Sequence, residues 1–436
     1  MNRRDFNRVV LGGVAASLMP RRLFADAPAL TVDGARLNAH LAELAQFGKN
    51  PQGGVTRLAY SDADRQGRAY VMDLMRQAKL SPSIDAAGNI IGGRPGRDAT
   101  AKPILFGSHV DSVPEGGNYD GPVGSLSAIE VAQTLAEHGV VTRHPLEVTI
   151  WQNEEGGLYG SRAVSGDLEA HELTNVSRSG KTISDGIAFI GGNVAALPSA
   201  RRAPGSIAGY LELHIEQGGT LESAHADIGI VEGIVGIHQW EVTVTGFANH
   251  AGTTAMDNRH DALLAAARFV DLVNRVVRDE PGRQVGTVGR IQAFPGAPNV
   301  IPGKVVLTLE LRDLDAAKID RLYRRVADGA MRIGKETGTT FAYADLHVNI
   351  PALTDPRVRA LIATSARELG LSTRQLPSGA GHDAQAMARL GPMGMIFVPS
   401  VGGISHAPSE LTKPQDVTNG ANVLLRTLLA MDDAMA

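Results

Sequence analysis

Apolar residues recur at helical spacing through residues 62–80 (Ala69, Met72, Leu74, Met75, Ala78), which predicts a helix there. Residues 83–91 and 103–110 read as short strands, 123–138 as a second helix, and Leu146–Trp151 and 207–215 as further apolar strands. This alternation predicts an α/β fold, with helices covering a mostly parallel sheet. Residues 178–204, rich in Gly, Ser and Ala, read as a loop carrying a short helix. From His238 the order changes to strand 238–245, helix 257–278, strands 284–293 and 303–312, helix 315–337 and strand 340–349. That β-α-β-β-α-β succession is the split unit of a ferredoxin-like α+β sandwich, small enough to form an inserted domain over 238–355. Hinges are expected near 233–237 and 351–356. Helix 356–369, a glycine-rich turn at 378–381, helix 382–389 and strand Met393–Val398 resume the first pattern, so the main domain is expected to be discontinuous, 28–237 plus 356–436.

The length of 436 residues agrees with two or three domains, and 43% hydrophobic with 20% charged residues suits a globular chain with a sizeable core. Lys and Arg number 42 against 46 Asp and Glu, with no block of like charge, which makes nucleic acid a poor partner. The absence of Cys excludes disulfides, thiolate zinc sites and a cysteine nucleophile; any metal must be held by carboxylates and some of the 13 His. At the N-terminus, Asn2-Arg3-Arg4-Asp5-Phe6-Asn7-Arg8 precedes an apolar run over 9–19 and the small-residue site Ala25-Asp26-Ala27. This resembles a twin-arginine export signal, cleaved near Ala27. It implies the twin-arginine machinery as a partner and a periplasmic location. The run is too short for a spanning helix, which needs roughly 20 residues, so no membrane anchor is expected after cleavage.

Candidate chemistry gathers at strand ends. Gly107-Ser-His-Val-Asp-Ser112 follows a strand, so His109 and Asp111 project to one side of extended backbone. The carboxylate could orient the imidazole or hold its tautomer; a structural His beside a turn Asp fits the same residues. Asp120, in Asn118-Tyr-Asp-Gly121 ahead of a helix, reads alone as a turn or N-cap residue. Trp151-Gln-Asn-Glu-Glu-Gly-Gly157 is sharper: Glu154 and Glu155 end an apolar strand where a parallel sheet places its site loops. Two such charges are costly unless a cation neutralises one and leaves the other free as a base. A solvated acidic loop is the alternative. His214, in His214-Ile-Glu-Gln-Gly218, and His406, in Ser405-His-Ala-Pro-Ser-Glu410, would each alone be structural. As a set, three imidazoles and two carboxylates suffice to hold two divalent ions with positions left open for water.

At these motifs the chain resembles the M20-type dinuclear metallopeptidases and, within them, the hydantoinase/carbamoylase amidases, from about Leu37 to the C-terminus. The likeness rests on Gly107-Ser-His-Val-Asp-Ser-Val-Pro114, Asn153-Glu-Glu-Gly156, Glu212-Leu-His-Ile-Glu-Gln-Gly218, His250-Ala-Gly-Thr-Thr-Ala-Met256, Pro298-Asn-Val-Ile-Pro302, Ser378-Gly-Ala-Gly-His-Asp383 and Ser405-His-Ala-Pro408. The resemblance implies two divalent ions, Zn²⁺ or Mn²⁺ with Co²⁺ as an option, bridged by Asp120. His109 and His214 would complete one site, and Glu155 and His406 the other. Glu154 would be the general base and proton shuttle, with Asp111 buttressing His109. His250 would stabilise the oxyanion, Asn299 and Arg312 would clamp the substrate, and Gln217, Gly381 and His382 would line the pocket. The inserted domain would act as lid and homodimer interface. In one place the chain departs from the family, which often continues with Arg-Phe where Gly157-Leu158-Tyr159-Gly160 stands here.

The activity implied is hydrolysis of N-carbamoyl-L-amino acids to amino acid, ammonia and CO2, with Arg312 pointing to a small carboxylate-bearing substrate. Allantoate or ureidoglycolate is the nearest competitor. An aminoacylase or dipeptidase using the same metals, or an exported binding protein without turnover, are the further readings.

Overall fold

The computed structural model describes residues 30–435. The expected export signal over 1–27 lies outside the described residues. Numbered along the chain, the strands are β1 Ser81–Ile84, β2 Ile90–Arg94, β3 Ile104–His109, β4 Leu146–Trp151, β5 Gly209–Ile215, β6 Ile228–Ile234, β7 Gly236–Thr245, β8 Asn249–His250, β9 Val285–Thr287, β10 Ile291–Phe294, β11 Val300–Ile301, β12 Lys304–Asp313, β13 Thr340–Asn349, β14 Ala352–Leu353, β15 Thr373–Ser378 and β16 Met393–Val398.

The main sheet runs β1-β2-β4-β3-β5-β16-β6-β14, with β15 also on β6. Its centre, β4-β3-β5-β16, is parallel, and β3, β5 and β16 are buried at every position. Continuous apolar strands of this kind need cover on both faces. On one face, Ala384, Ala386 and Met387 of the helix Asp383–Met387 pack in a cluster with Leu105, Tyr210, Met395 and Phe397. On the other, Gly124 and Gly420 let the helices Pro122–Glu137 and Pro414–Ala434 close on Leu213 and Val398. Both helices open with proline at their first turn, where its missing N–H costs nothing. None of the described helices is long and apolar enough to cross a membrane.

A second, antiparallel sheet has the order β10-β12-β7-β13, with β9 on β12. Alternate residues of β7 and β12 (Trp240, Val242, Val244; Val305, Leu307, Leu309, Leu311) turn inward against Phe269, Leu272 and Val273 of the helix Ala262–Asp279 and Leu322 and Val326 of the helix Ala316–Thr337. Only Val235 separates β6 from β7, and β13 returns to β14 beside it, so two adjacent strand ends join the sheets.

Local chemistry alters four expected elements. Residues 83–91 form the hairpin β1–β2, because Asp85 accepts from the backbone and side-chain nitrogens of Asn89 and Gly88 takes φ +90°. The helix expected from 257 begins at Ala262, where Asp261 caps the N–H groups of Leu263 and Leu264. The strand expected over 284–293 breaks at Val288-Gly289-Arg290 into β9 and β10, which pair with different stretches of β12. The hinge expected near 233–237 is occupied by the end of β6 and the start of β7, and β6, over residues with no expected element, pairs with β14, β15 and β16.

Candidate metal centre

β3, β4, β5 and β16 end at the same edge of the sheet, and the loops beyond them carry the candidate residues. His109 closes β3, Glu154 and Glu155 follow β4, His214 lies at the end of β5, and His406 lies beyond β16. Asp120 enters from the turn before the helix Pro122–Glu137. Gly121 there has φ +81°, and a Cβ on it would overlap the ring of His109, so only glycine lets this turn pass so close. Asn153, Leu158, Gln217 and His406 are four of the eight non-glycine residues held at positive φ among the described residues. Such strain, costing of order 1–3 kcal/mol each, gathers where surrounding structure over-determines a site.

Asp120 is the centre of the cluster. Its Oδ1 lies 3.2 Å from His214 Nε2 and 3.6 Å from His109 Nε2, and its Oδ2 lies 3.1 Å from His406 Nε2. His406 Nε2 is in turn 3.6 Å from Glu155 Oε1, and His109 Nε2 is 3.7 Å from Glu154 Oε2. Two triads that could hold an ion, His109–Asp120–His214 and Asp120–Glu155–His406, therefore share one carboxylate.

The donor set fits divalent ions on a specific observation. His109 Nδ1 donates to the backbone carbonyl of Asp111 at 3.1 Å and His214 Nδ1 to that of Ile215 at 3.0 Å. Those bonds orient both rings with Nε2 toward Asp120, buried and without a hydrogen-bond partner, free to serve an ion. A third group, Glu212–His214–His382, is differently placed. Glu212 already accepts from Ser108 Oγ, Tyr210 Oη and the Ala384 N–H, and His382 Nε2 lies 2.8 Å from Ser378 Oγ.

Electrostatics follow from the crowding. Burial pushes Glu154 well above the usual carboxylate range; His109 opposes this, and Glu155, Asp383 and Asp120 add to it. Burial and Asp120 push Glu155 up to about 7. Asp120 moves the other way: its contacts with His109, His214 and His406 outweigh burial and hold it well below the ordinary value. The hydrogen bond to Asp120 raises His406 to about 9, and Glu155 adds to it. Excess negative charge around paired imidazoles is what a cation pair would balance.

The family profile for peptidase family M20/M25/M40 matches residues 105–430. The chain belongs to this family. It is 41% identical over 402 residues to an N-carbamoyl-L-amino acid amidohydrolase of Geobacillus stearothermophilus, covering 91% of this chain and 98% of that protein. It is 37% identical over 420 residues to a ureidoglycolate hydrolase of Arabidopsis thaliana, covering 92% and 87%. The crystal structure of an amidase of the hydantoinase/carbamoylase family from Burkholderia multivorans superposes with a TM-score of 0.87 at 38% identity, over 94% of this chain and all of that one.

In this M20 chain the centre opens into a cavity of about 1180 Å³. Gln217, Gly381 and His382 line it; Gln217 Nε2 donates to Asp120 Oδ2 at 2.6 Å, and the His382 ring meets that of His214 edge-on at 4.4 Å. Arg312 stands in the wall on β12, its Nε donating to Glu310 at 2.5 Å and its Nη1 to the Gly379 carbonyl at 2.7 Å. The loop that departs from the family supplies Gly157, Leu158 and Tyr159 to the same cavity. Asp111 stands against His109 as the expected buttress would: its main-chain carbonyl accepts from His109 Nδ1 at 3.1 Å and its Oδ1 lies 3.7 Å from the same nitrogen, while its carboxylate also accepts the N–H groups of Glu154 and Glu155 at 3.3 and 3.2 Å. His250 and Asn299 do not line the cavity; His250 lies exposed on β8 and Asn299 exposed just before β11. His250 Nδ1 accepts the N–H groups of Gly252 and Thr253, which leaves Nε2 as the donor. Among the cavity residues that the sequence did not mark are Arg162, tied to Glu172 at 2.6 Å, and His347 on β13. Only the placement of β13 along the cleft identifies His347.

Proposed function

We propose that this protein is a dinuclear-metal amidohydrolase that cleaves the ureido C–N bond of N-carbamoyl-L-amino acids, releasing amino acid, ammonia and CO2. The observation that carries the reading is the shared carboxylate of Asp120 between His109 and His214 on one side and Glu155 and His406 on the other. The Geobacillus relative's name supports the substrate class. His109, Asp120 and His214 would hold one ion and Asp120, Glu155 and His406 the second, with Zn²⁺, Mn²⁺ or Co²⁺ all suited to imidazole and carboxylate donors. When bound, the ions would supply Lewis-acid activation of water and of the scissile carbonyl.

The chain's own groups do the rest. Glu154, buried and pushed toward protonation, takes a proton from the attacking water and passes it to the leaving nitrogen. Asp111 keeps Glu154 in place through the backbone. Arg312 grips the substrate carboxylate with the N–H groups that Glu310 and Gly379 leave free. His250, as an Nε2 donor, would stabilise the oxyanion, and Asn299 would assist the clamp. Because both stand outside the cavity, they would arrive by closure of the β7–β13 sheet as a lid or from a second copy in a homodimer. Export by the twin-arginine route to the periplasm belongs to the same proposal.

Ureidoglycolate or allantoate is the second reading, favoured by the likeness to the Arabidopsis hydrolase. Metal-loaded protein is assayed for ammonia from N-carbamoyl amino acids, allantoate and ureidoglycolate, and for free acid or amino acid from acyl amino acids and dipeptides. Fastest ammonia release from N-carbamoyl amino acids is expected; release only from acyl or peptide substrates, or from none, would reject the proposal.

A further inference from the structure

We propose that Glu410 is a positioning residue that locks together the two loops carrying Asp120 and His406, and thereby sets the geometry of the second metal position. This rests on the dinuclear reading above. Glu410 is only 5% exposed, and its two oxygens are divided between the loops. Oε1 accepts the backbone N–H groups of Tyr119 at 2.9 Å and Asp120 at 3.1 Å. Oε2 accepts the Ser405 hydroxyl at 2.8 Å and the His406 N–H at 3.2 Å. Segments some 290 residues apart in sequence are thus tied by one carboxylate. The Ser405 hydroxyl also sits 3.0 Å from Asp120 Oδ2, between the two acids.

A second observation shows that the cradle is built for this group. Gly117 lies against it, and a Cβ there would overlap Glu410 Oε1, so glycine is needed for the carboxylate to reach the Asp120 turn. The arrangement mirrors that of Asp111, which accepts two N–H groups of the Glu154–Glu155 loop. One buried carboxylate on each side of the centre therefore holds a ligand-bearing loop by its amides. His406 has most need of such a tie, being half exposed and held at φ +55°.

Glu410→Gln keeps size but replaces an acceptor oxygen with a donor that faces N–H groups. Loss of an outer partner of a metal ligand costs about 10–100-fold in metal affinity. The purified variant is titrated with Zn²⁺ against a competing chelator, and its Co²⁺ form is examined by visible absorption. A 10–100-fold weaker second ion, altered Co²⁺ bands and a kcat loss exceeding any KM change are expected, with partial rescue in Glu410→Asp. Two ions bound with wild-type affinity and an unchanged Co²⁺ spectrum would overturn the inference. If Glu410→Gln fails to fold by circular dichroism, Gly117→Ala, whose Cβ would displace the Glu410 carboxylate without removing a group that touches a metal-holding residue, is read the same way. Wild-type protein that binds no ion pair would instead refute the dinuclear reading.

Discussion

Replacement of Glu154 by Gln isolates the proton-transfer step. The side chain keeps its length in a buried position, its backbone N–H still reaches Asp111, and none of the five candidate metal-holding residues changes. What disappears is a carboxylate 3.7 Å from His109 Nε2 whose affinity for protons burial has raised. General base catalysis contributes roughly 10²–10⁴-fold. At about 1.36 kcal/mol per tenfold, the barrier should rise by about 3–5 kcal/mol. Initial rates of ammonia release from an N-carbamoyl amino acid, with metal content measured on the same sample, give both quantities. We expect kcat to fall within that range, KM to change little and two ions per chain to remain. A variant that keeps both ions and works within a few-fold of the wild-type kcat would refute Glu154 as the base.

Arg312→Ala should raise KM for carboxylate substrates about 30-fold, the lower end of a desolvated ion pair at about 2 kcal/mol, because Arg312 already shares its N–H groups with Glu310 and Gly379; steady-state kinetics read it. Gly121→Ala should drop metal content below two per chain, since the new Cβ displaces His109, whereas Gly139→Ala, also at positive φ but with open space around it, should retain both ions. Metal analysis of the two purified variants decides. In chelated protein, His406 at about 9 and Glu155 at about 7 are both raised above their ordinary values. Their stabilising contribution is complete below their unfolded values and lost as pH rises through the folded ones. Melting temperatures with and without Zn²⁺ should therefore diverge increasingly from pH 6 to pH 9, metal-loaded protein being the more stable; a constant difference would count against the shifts.

Much of this architecture was legible because strands buried on both faces leave unbroken apolar runs. Leu146–Trp151 and Met393–Val398 have the bounds their residues suggested. A parallel sheet sends its loops to one edge, so the places of His109, Glu155, His214 and His406 just beyond apolar runs already point to one cluster. β6 was hidden: Gly229 and Gly233 interrupt Ile228–Ile234, and its regularity comes from pairing with three other strands. The turn in the first hairpin turns on Asp85 and Asn89, whose side chains compete with an extended backbone. The direction of the Asp111 carboxylate could not be read, because it answers amides 43 and 44 residues away. Glu410 carried a faint sign, an acid four residues beyond a candidate ligand. The displacement of His250 and Asn299 from the cavity follows from how the second sheet sits, which local pattern does not encode.

Crystals soaked in Zn²⁺ and examined by anomalous scattering at the zinc edge test the central claim most directly. The account predicts two peaks per chain, one among His109, Asp120 and His214 and one among Asp120, Glu155 and His406, with both lost in Asp120→Ala. A single peak, or density placed instead between Glu212, His214 and His382, would contradict it.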